Sequence, residues 1–284
     1  MRLLEYRRFH VFQWVLCLAL WLFFGFDLQA ADRASGDFGF SVGMDYSSGD
    51  YGLAKETDML YLPLSLTYER FPWRSTLTLS HLRITGPGGV IGGGDGSVIV
   101  GESGKGSGSG GGGGPGGGKR GLSTEQGLGD IVASLSYALD SLWNLPVALD
   151  LTGKVKFATA DAEKGLGTGE NDYVLQFDIA DNYDRFTPFA TLGYRAMGDP
   201  PDLDLHDVWF SSLGFDYRLT RSLYSGTSFD YRQATSSAAA PLRELVAYLN
   251  WKVGGSWSIN GYAVVGFSTS SPDAAVGIQL DCKP

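Results

Sequence analysis

Cysteine is nearly absent from this chain. There are two, Cys17 and Cys282, and Cys17 lies in an N-terminal apolar run with the marks of an export signal. Loss of that segment leaves one thiol, so no disulfide can form within the chain even in an oxidising compartment. Histidine is also scarce: His10 falls in the same segment, leaving His81 and His206. A hydrolase needs a histidine beside its nucleophile and a third group to orient it. His81 follows Ser80 directly, which on a strand sends the two side chains to opposite faces, and His206 sits in a charge-rich loop with Asp202, Asp204 and Asp207. Neither reads as a catalytic base, so the chain is not expected to be an enzyme, and the acidic loop reads as solvated rather than as a metal site. Positive charge is the minority, 22 Lys and Arg against 31 Asp and Glu, which argues against nucleic-acid binding. After residue 26 no apolar run approaches the roughly 20 residues of a membrane helix.

What is there begins with that signal. Arg2, Arg7 and Arg8 precede an apolar stretch over 11–26, and Leu28-Gln29-Ala30 supplies small-residue cleavage before Ala31. Residues 1–30 are therefore expected to be a signal peptide; its removal takes away three arginines against Glu5 and Asp27 and moves the net charge from −9 to −10.

Beyond it, apolar and polar residues alternate in segments that recur about every 20 residues, the signature of strands with two different faces. In 145–157, Val147, Leu149, Leu151, Val155 and Phe157 share one face, and Asp150, Thr152, Lys154 and Lys156 the other. Twelve such strands are expected at 38–46, 60–68, 73–84, 130–139, 145–157, 173–180, 187–196, 208–219, 223–233, 244–253, 257–268 and 274–281. Their connections alternate. Tight ones at 70–72, 141–144, 182–185, 220–222 and 254–256 oppose longer ones at 47–57, 85–127, 159–171, 198–207, 234–241 and 269–273. A soluble sandwich has no reason to sort its loops this way, whereas short periplasmic turns opposite long external loops are the rule in outer-membrane barrels. Aromatic residues gather near the strand ends: Phe71, Trp73, Trp143, Phe186, Tyr217 and Trp257 by the tight turns, and Tyr46, Phe157, Tyr173, Trp209 and Phe267 towards the other rim. The expected fold is all-β: a transmembrane antiparallel up-and-down barrel over 31–284, closed so that every backbone group is satisfied in lipid, in a Gram-negative outer membrane.

The second external loop carries a glycine-rich tract over 86–118. It reads as a flexible surface loop, with the alternative that it folds back over or into the lumen and limits entry. Within it, Gly101-Glu102-Ser103-Gly104-Lys105-Gly106 lacks the leading glycine and the closing Ser or Thr of a phosphate-binding loop. Gly165-Leu166-Gly167-Thr168-Gly169 lacks dinucleotide spacing and reads as a tight loop after a strand. No cofactor is implied.

On the assigned alternation Glu69, Asp130, Asp150, Lys154, Lys156, Asp178, Arg195, Asp216, Arg218, Asp230, Arg232, Glu244 and Lys252 face the lumen. They either pair across neighbouring strands and fill the barrel, or line a polar path that selects solutes by charge. The repeated Phe215-Asp216-Tyr217-Arg218 and Phe229-Asp230-Tyr231-Arg232 should carry two internal acid–base pairs on one hairpin. The expected function is passive or facilitated uptake of small molecules through an outer-membrane channel. The alternative is a plugged structural or adhesive barrel. Lipid and a small-molecule solute are the expected partners.

Three blocks carry a family likeness: Gly127-Leu128-Gly129-Asp130-Ile131, the stretch 151–161 beginning Leu151-Thr152-Gly153-Lys154, and Gly165-Leu166-Gly167-Thr168-Gly169-Glu170-Asn171-Asp172-Tyr173. Leu192-Gly193-Tyr194-Arg195 and the two Asp-Tyr-Arg strands extend it. On these residues the chain resembles the outer-membrane β-barrel family associated with the meta-pathway of phenol degradation, whose members are transporter-like. The resemblance implies an outer-membrane barrel and uptake of aromatic or other hydrophobic compounds. It implies no catalytic residues.

Overall fold

Alternation with a period of two leaves each strand one face for an apolar solvent and one for the interior, and only a closed sheet satisfies both edges. The computed structural model describes residues 36–94, 97–100, 122–143, 145–201 and 203–283. The expected signal peptide, the Gly101–Gly106 motif and Asp202 lie outside them. The wall opens with β1 (Asp37–Gly49), β2 (Thr57–Arg70) and β3 (Trp73–Gly86). A short separate hairpin follows, β4 (Val90–Gly92) with β5 (Val98–Val100). The next wall segment is split into β6 (Ser123–Leu128) and β7 (Ile131–Ala138), and a one-turn helix α1 (Asp140–Trp143) leads to β8 (Ala148–Phe157). Then come β9 (Asp172–Ala180), β10 (Phe186–Ala196), β11 (Val208–Arg218), β12 (Leu223–Arg232), β13 (Leu242–Val253), β14 (Trp257–Gly266) and β15 (Ala274–Cys282).

Each wall strand pairs antiparallel with its sequence neighbours, and β1 pairs with β15, so twelve segments close a barrel when β6 and β7 are counted as one. The strand count, direction and alternating loop lengths match the sequence reading. The fourth strand does not match it. It was expected from residue 130, yet pairing with β3 begins at Ser123. Thr78 stands opposite Val132 and His81 opposite Leu128, so two residues of β3 face three of the other strand, and Gly129-Asp130-Ile131 form a β-bulge. The external loop is correspondingly shorter than 85–127. The expected tight turn at 141–144 is likewise replaced by α1.

Outside, the wall is a belt of exposed Phe40, Val42, Leu64, Leu79, Phe177, Leu192, Leu213 and Ile278, with Leu213 68% accessible. A continuous apolar belt on a closed sheet has no soluble counterpart and suits a bilayer. Exposed Phe71, Trp73, Trp143, Phe186 and Trp257 ring the short-turn end, and Tyr46, Phe157, Trp209 and Phe267 the other. β6 pairs only with β3, which leaves an open edge. The outward residues there are Leu128 at the bulge, where the apolar belt ends, and above it His81, Arg83, Thr85, Thr124 and Gln126, with Thr85 and Thr124 hydroxyls 2.9 Å apart. Polar outward faces set this extension above the hydrocarbon, where water can satisfy the edge. Among the described residues no helix is long and apolar enough to cross a membrane; the crossing elements are strands.

Candidate functional site

The buried apolar residues collect at the long-loop end, inside the wall. Tyr51, Met59, Tyr61, Leu82, Ile84, Val90 and Leu166 form one cluster, and Ile91, Ile99, Met197 and Leu205 a second. Val90, Ile91 and Ile99 belong to the β4–β5 hairpin, which therefore packs between the inner faces of β2 and β3 on one side and the loop after β10 on the other. The first part of the glycine-rich tract is thus folded into the barrel mouth; residues 101–121 lie outside the described residues. Short glycines make the fit possible. Gly92 donates its N–H to the Gly165 carbonyl at 3.1 Å, and a Cβ on it would meet Leu82 and stand 2.8 Å from the Leu166 carbonyl oxygen. Gly94, at φ +84°, takes the Tyr61 hydroxyl on its carbonyl at 3.5 Å.

Beneath the hairpin tip sits a buried ion cluster. Lys156 Nζ lies 3.1 Å from Asp172 Oδ2 and 3.4 Å from Asp130 Oδ2, and donates to Thr168 Oγ1 at 2.9 Å. The other oxygens are used as well: Asp130 Oδ1 accepts from Thr159 N–H at 3.0 Å and Ala160 N–H at 2.8 Å, and Asp172 Oδ1 accepts from Gly198 N–H at 3.1 Å. The bulge at Gly129-Asp130 turns the carboxylate inward, and the tight Gly165–Gly169 loop buries Leu166 and presents Thr168. A Cβ on Gly167 would stand 2.7 Å from Asp130 Oδ2. Asp130 and Lys156 are thus cut off from solvent, and their charge holds three loops together.

Among the remaining interior charges, two pairs of acids meet across neighbouring strands. Asp150 stands directly opposite Asp178, and Asp230 opposite Glu244, so like charges face each other across β8–β9 and β12–β13. The Asp178 carboxylate accepts from Thr191 Oγ1 at 2.6 Å and Gln176 Nε2 at 2.8 Å, and Asp230 from Ser212 Oγ at 2.5 Å. Of the two acid–base pairs expected within the β11–β12 hairpin, that of Asp216 and Arg218 is replaced by bonds to other residues. Asp216 accepts from the Tyr248 hydroxyl at 2.7 Å, and Arg218 reaches Asp184 in the preceding turn at 2.9 Å. Glu69 sits at the short-turn rim with Arg74 and Lys283, both at 2.7 Å, and Lys252 lies over the Tyr224 ring. Lys154, Arg195 and Arg232 are half-buried near the long-loop end of their strands.

Alternation of charge could not reveal the aromatic residues inside. Phe189 covers Gly214, Phe210 covers Gly193, Tyr248 covers Gly226 and Tyr262 covers Gly277, each ring over its direct cross-strand partner. A glycine leaves room for a neighbouring ring to lie flat along the wall, instead of standing into the lumen. The signal was present in sequence as a glycine at an inward position opposite an inward aromatic, but it appears only once the register is known.

The space beside the hairpin is a cavity of about 520 Å³ between β1, β2 and β12 to β15. Asp45, Asp230 and Glu244 line it together with Tyr61 and Tyr262. Tyr51 roofs it at 2% exposure, and burial pushes its phenol up to about 12, so it remains protonated at physiological pH. Asp45, inward on β1, was not among the residues expected to line the lumen, nor was Asp172. Elsewhere, Ser80 points inward and His81 outward, and Asp207 is engaged by the Tyr194 hydroxyl and the Met197 N–H.

No family model and no curated protein matches the chain in sequence. Solved structures do match. An outer-membrane channel from Pseudomonas putida F1 aligns over 89% of this chain and 98% of its own length at 13% identity, with a TM-score of 0.61. The transport unit of the autotransporter AIDA-I from Escherichia coli aligns over 92% and 93% at 10% identity, with a TM-score of 0.52. The toluene transporter TodX of P. putida aligns over 90% and 92% at 10% identity, with a TM-score of 0.43. The first two likenesses establish the fold: this chain is an outer-membrane-type β-barrel.

Proposed function

We propose that the protein is a channel in a Gram-negative outer membrane that admits small solutes, aromatic and hydrophobic compounds among them, by passive or facilitated diffusion. The observation that carries this reading is the cavity of about 520 Å³ left in the lumen beside the inserted hairpin. The hairpin, packed between β2 and β3 and the loop after β10, leaves this space beside it unfilled. The rings laid flat over glycines support the same reading, because they keep apolar surface along the wall and the centre clear. The resemblance to transporter-like barrels agrees with it.

The test is conductance across a planar bilayer after refolding in detergent, with heat-shifted gel migration as the control for barrel formation. Discrete current steps are expected. A folded barrel that never conducts, and that does not admit small solutes in liposome swelling, overturns the proposal in favour of a plugged scaffold. One observation favours that second reading: the hairpin and the Lys156 cluster are buried. Lys154→Glu or Arg195→Glu separates the two, since altered ion selectivity marks a path and lost folding without conductance marks a filled core.

A further inference from the structure

The cavity has a chemical bias that a general diffusion route does not need. Three carboxylates, Asp45, Asp230 and Glu244, line it, and among the described residues no lysine or arginine does. Arg232 lies close enough to Glu244 to act on it electrostatically. Asp230 is held by the Ser212 hydroxyl. Among the described residues no hydrogen bond or ion pair reaches Asp45. A second observation is independent of the acids. The Tyr51 and Ser47 hydroxyls line the same cavity at 2% and 8% exposure, and neither meets a hydrogen-bond partner beyond the other. Buried hydroxyls with no further protein partner can bond a guest in the cavity, water or ligand.

The rest of the lining is apolar or aromatic. Met59, Leu242 and Val264 supply hydrocarbon, and the Tyr61 and Tyr262 rings are held in place by Gly94 and Gly277. A bare metal ion gains nothing from such surface, whereas an ammonium group on a hydrocarbon body uses both halves: its N–H donors meet carboxylate and hydroxyl oxygens, and its carbon body meets the apolar wall and ring faces. We propose that this cavity is a binding site for a small organic ammonium ion, an alkyl or aryl amine in its protonated form. The proposal rests on the channel reading and names the solute class of that same lumen.

The experiment is isothermal titration calorimetry of the full refolded protein in detergent with benzylammonium chloride, run beside planar-bilayer recordings. Benzylammonium is expected to bind, with benzyl alcohol and sodium ion at least tenfold weaker. Asp45→Asn combined with Glu244→Gln should weaken benzylammonium at least tenfold, and Asp45→Asn alone should weaken it measurably. Glu163→Gln, which removes a carboxylate on the outer loop, serves as the control. Heat-shifted migration verifies that each variant folds, and the single variant stands in should the double one fail. Equal binding of benzyl alcohol overturns the inference, as does unchanged affinity in Asp45→Asn, or no heat at all. Binding without conductance would sink the channel and leave the site standing; conductance without binding would do the reverse.

Discussion

Replacing Lys156 with methionine removes one charge from a nearly unchanged shape, and the consequence can be worked from the distances. Two carboxylate oxygens lie 3.1 and 3.4 Å from Nζ, on side chains that are 6%, 0% and 1% exposed for Lys156, Asp130 and Asp172. At an effective dielectric near 20 each contact is worth about 5 kcal/mol of gross attraction. Desolvation cancels much of that in the intact cluster, so the pairs need not stabilise the barrel over an apolar substitute. Breaking them is different, because two charges stay behind without their cation, and that costs about 3–5 kcal/mol. Asp130 retains two backbone N–H donors and Asp172 one, which should hold the loss near the lower end, about 3 kcal/mol.

The assay is urea unfolding of the refolded barrel in vesicles, followed by tryptophan fluorescence. Lys156→Met should lower stability by that amount, and the two carboxylates should answer differently to rescue. Adding Asp172→Asn should restore at least about 1 kcal/mol, because it removes the less well-solvated charge. Adding Asp130→Asn should restore less, since it also gives up the acceptor of two backbone amides. A single variant within about 1 kcal/mol of the parent, or a better rescue by Asp130→Asn, would refute the reasoning.

Three further outcomes follow from named contacts. Gly226→Ala places a methyl against the Tyr248 ring, so the ring should leave the wall, lose its 2.7 Å bond to Asp216 and cost about 1–3 kcal/mol while lowering single-channel current. Gly94→Ala adds a Cβ 2.7 Å from Lys156 Cδ at a φ of +84°; the hairpin tip should be displaced, and liposome swelling should then admit larger solutes. Leu213→Arg puts a charge at the most exposed position quoted for the belt and should cost about 2–4 kcal/mol of folding stability in vesicles, with little change in conductance because Leu213 faces away from the lumen.

Much of the wall was legible because its two environments impose a period of two on the sequence. β3 starts at Trp73 as expected and β1 starts at Asp37 against an expected 38. The alternation fails where the environments stop differing. Ser123 to Gln126 is polar on both faces because that part of the sheet stands above the hydrocarbon, and Gly127 and Gly129 read as a break where the chain forms a bulge. The hairpin was hidden for another reason: Val90-Ile91 and Ile99 are apolar runs too short to show any period, set among glycines that read as linker. Face is legible in alternation, but partner is not. Asp150 and Asp178 were both placed inward, yet that they stand opposite each other depends on the register of β8 against β9. Asp130, Lys156, and Thr168 with Asp172 lie in three separate stretches of sequence, and the fold brings them into one buried cluster.

A channel and an autotransporter unit share this chain's architecture, and the reason lies in the same alternation. Outward residues meet only hydrocarbon and headgroups, so any apolar side chain of strand-forming type serves there. Inward residues are not held to one chemistry by the bilayer and can differ with what occupies the lumen. In this chain they divide by position. Lys156 and its two aspartates, at the mouth, brace the inserted hairpin; the glycine-backed rings keep the wall flat; and Asp45, Asp230 and Glu244 remain around a cavity that the brace leaves open. Substitutions on the outer face should therefore change stability without changing selectivity. Those at Asp45 and Glu244 should change selectivity with little effect on stability, because neither carboxylate anchors a loop.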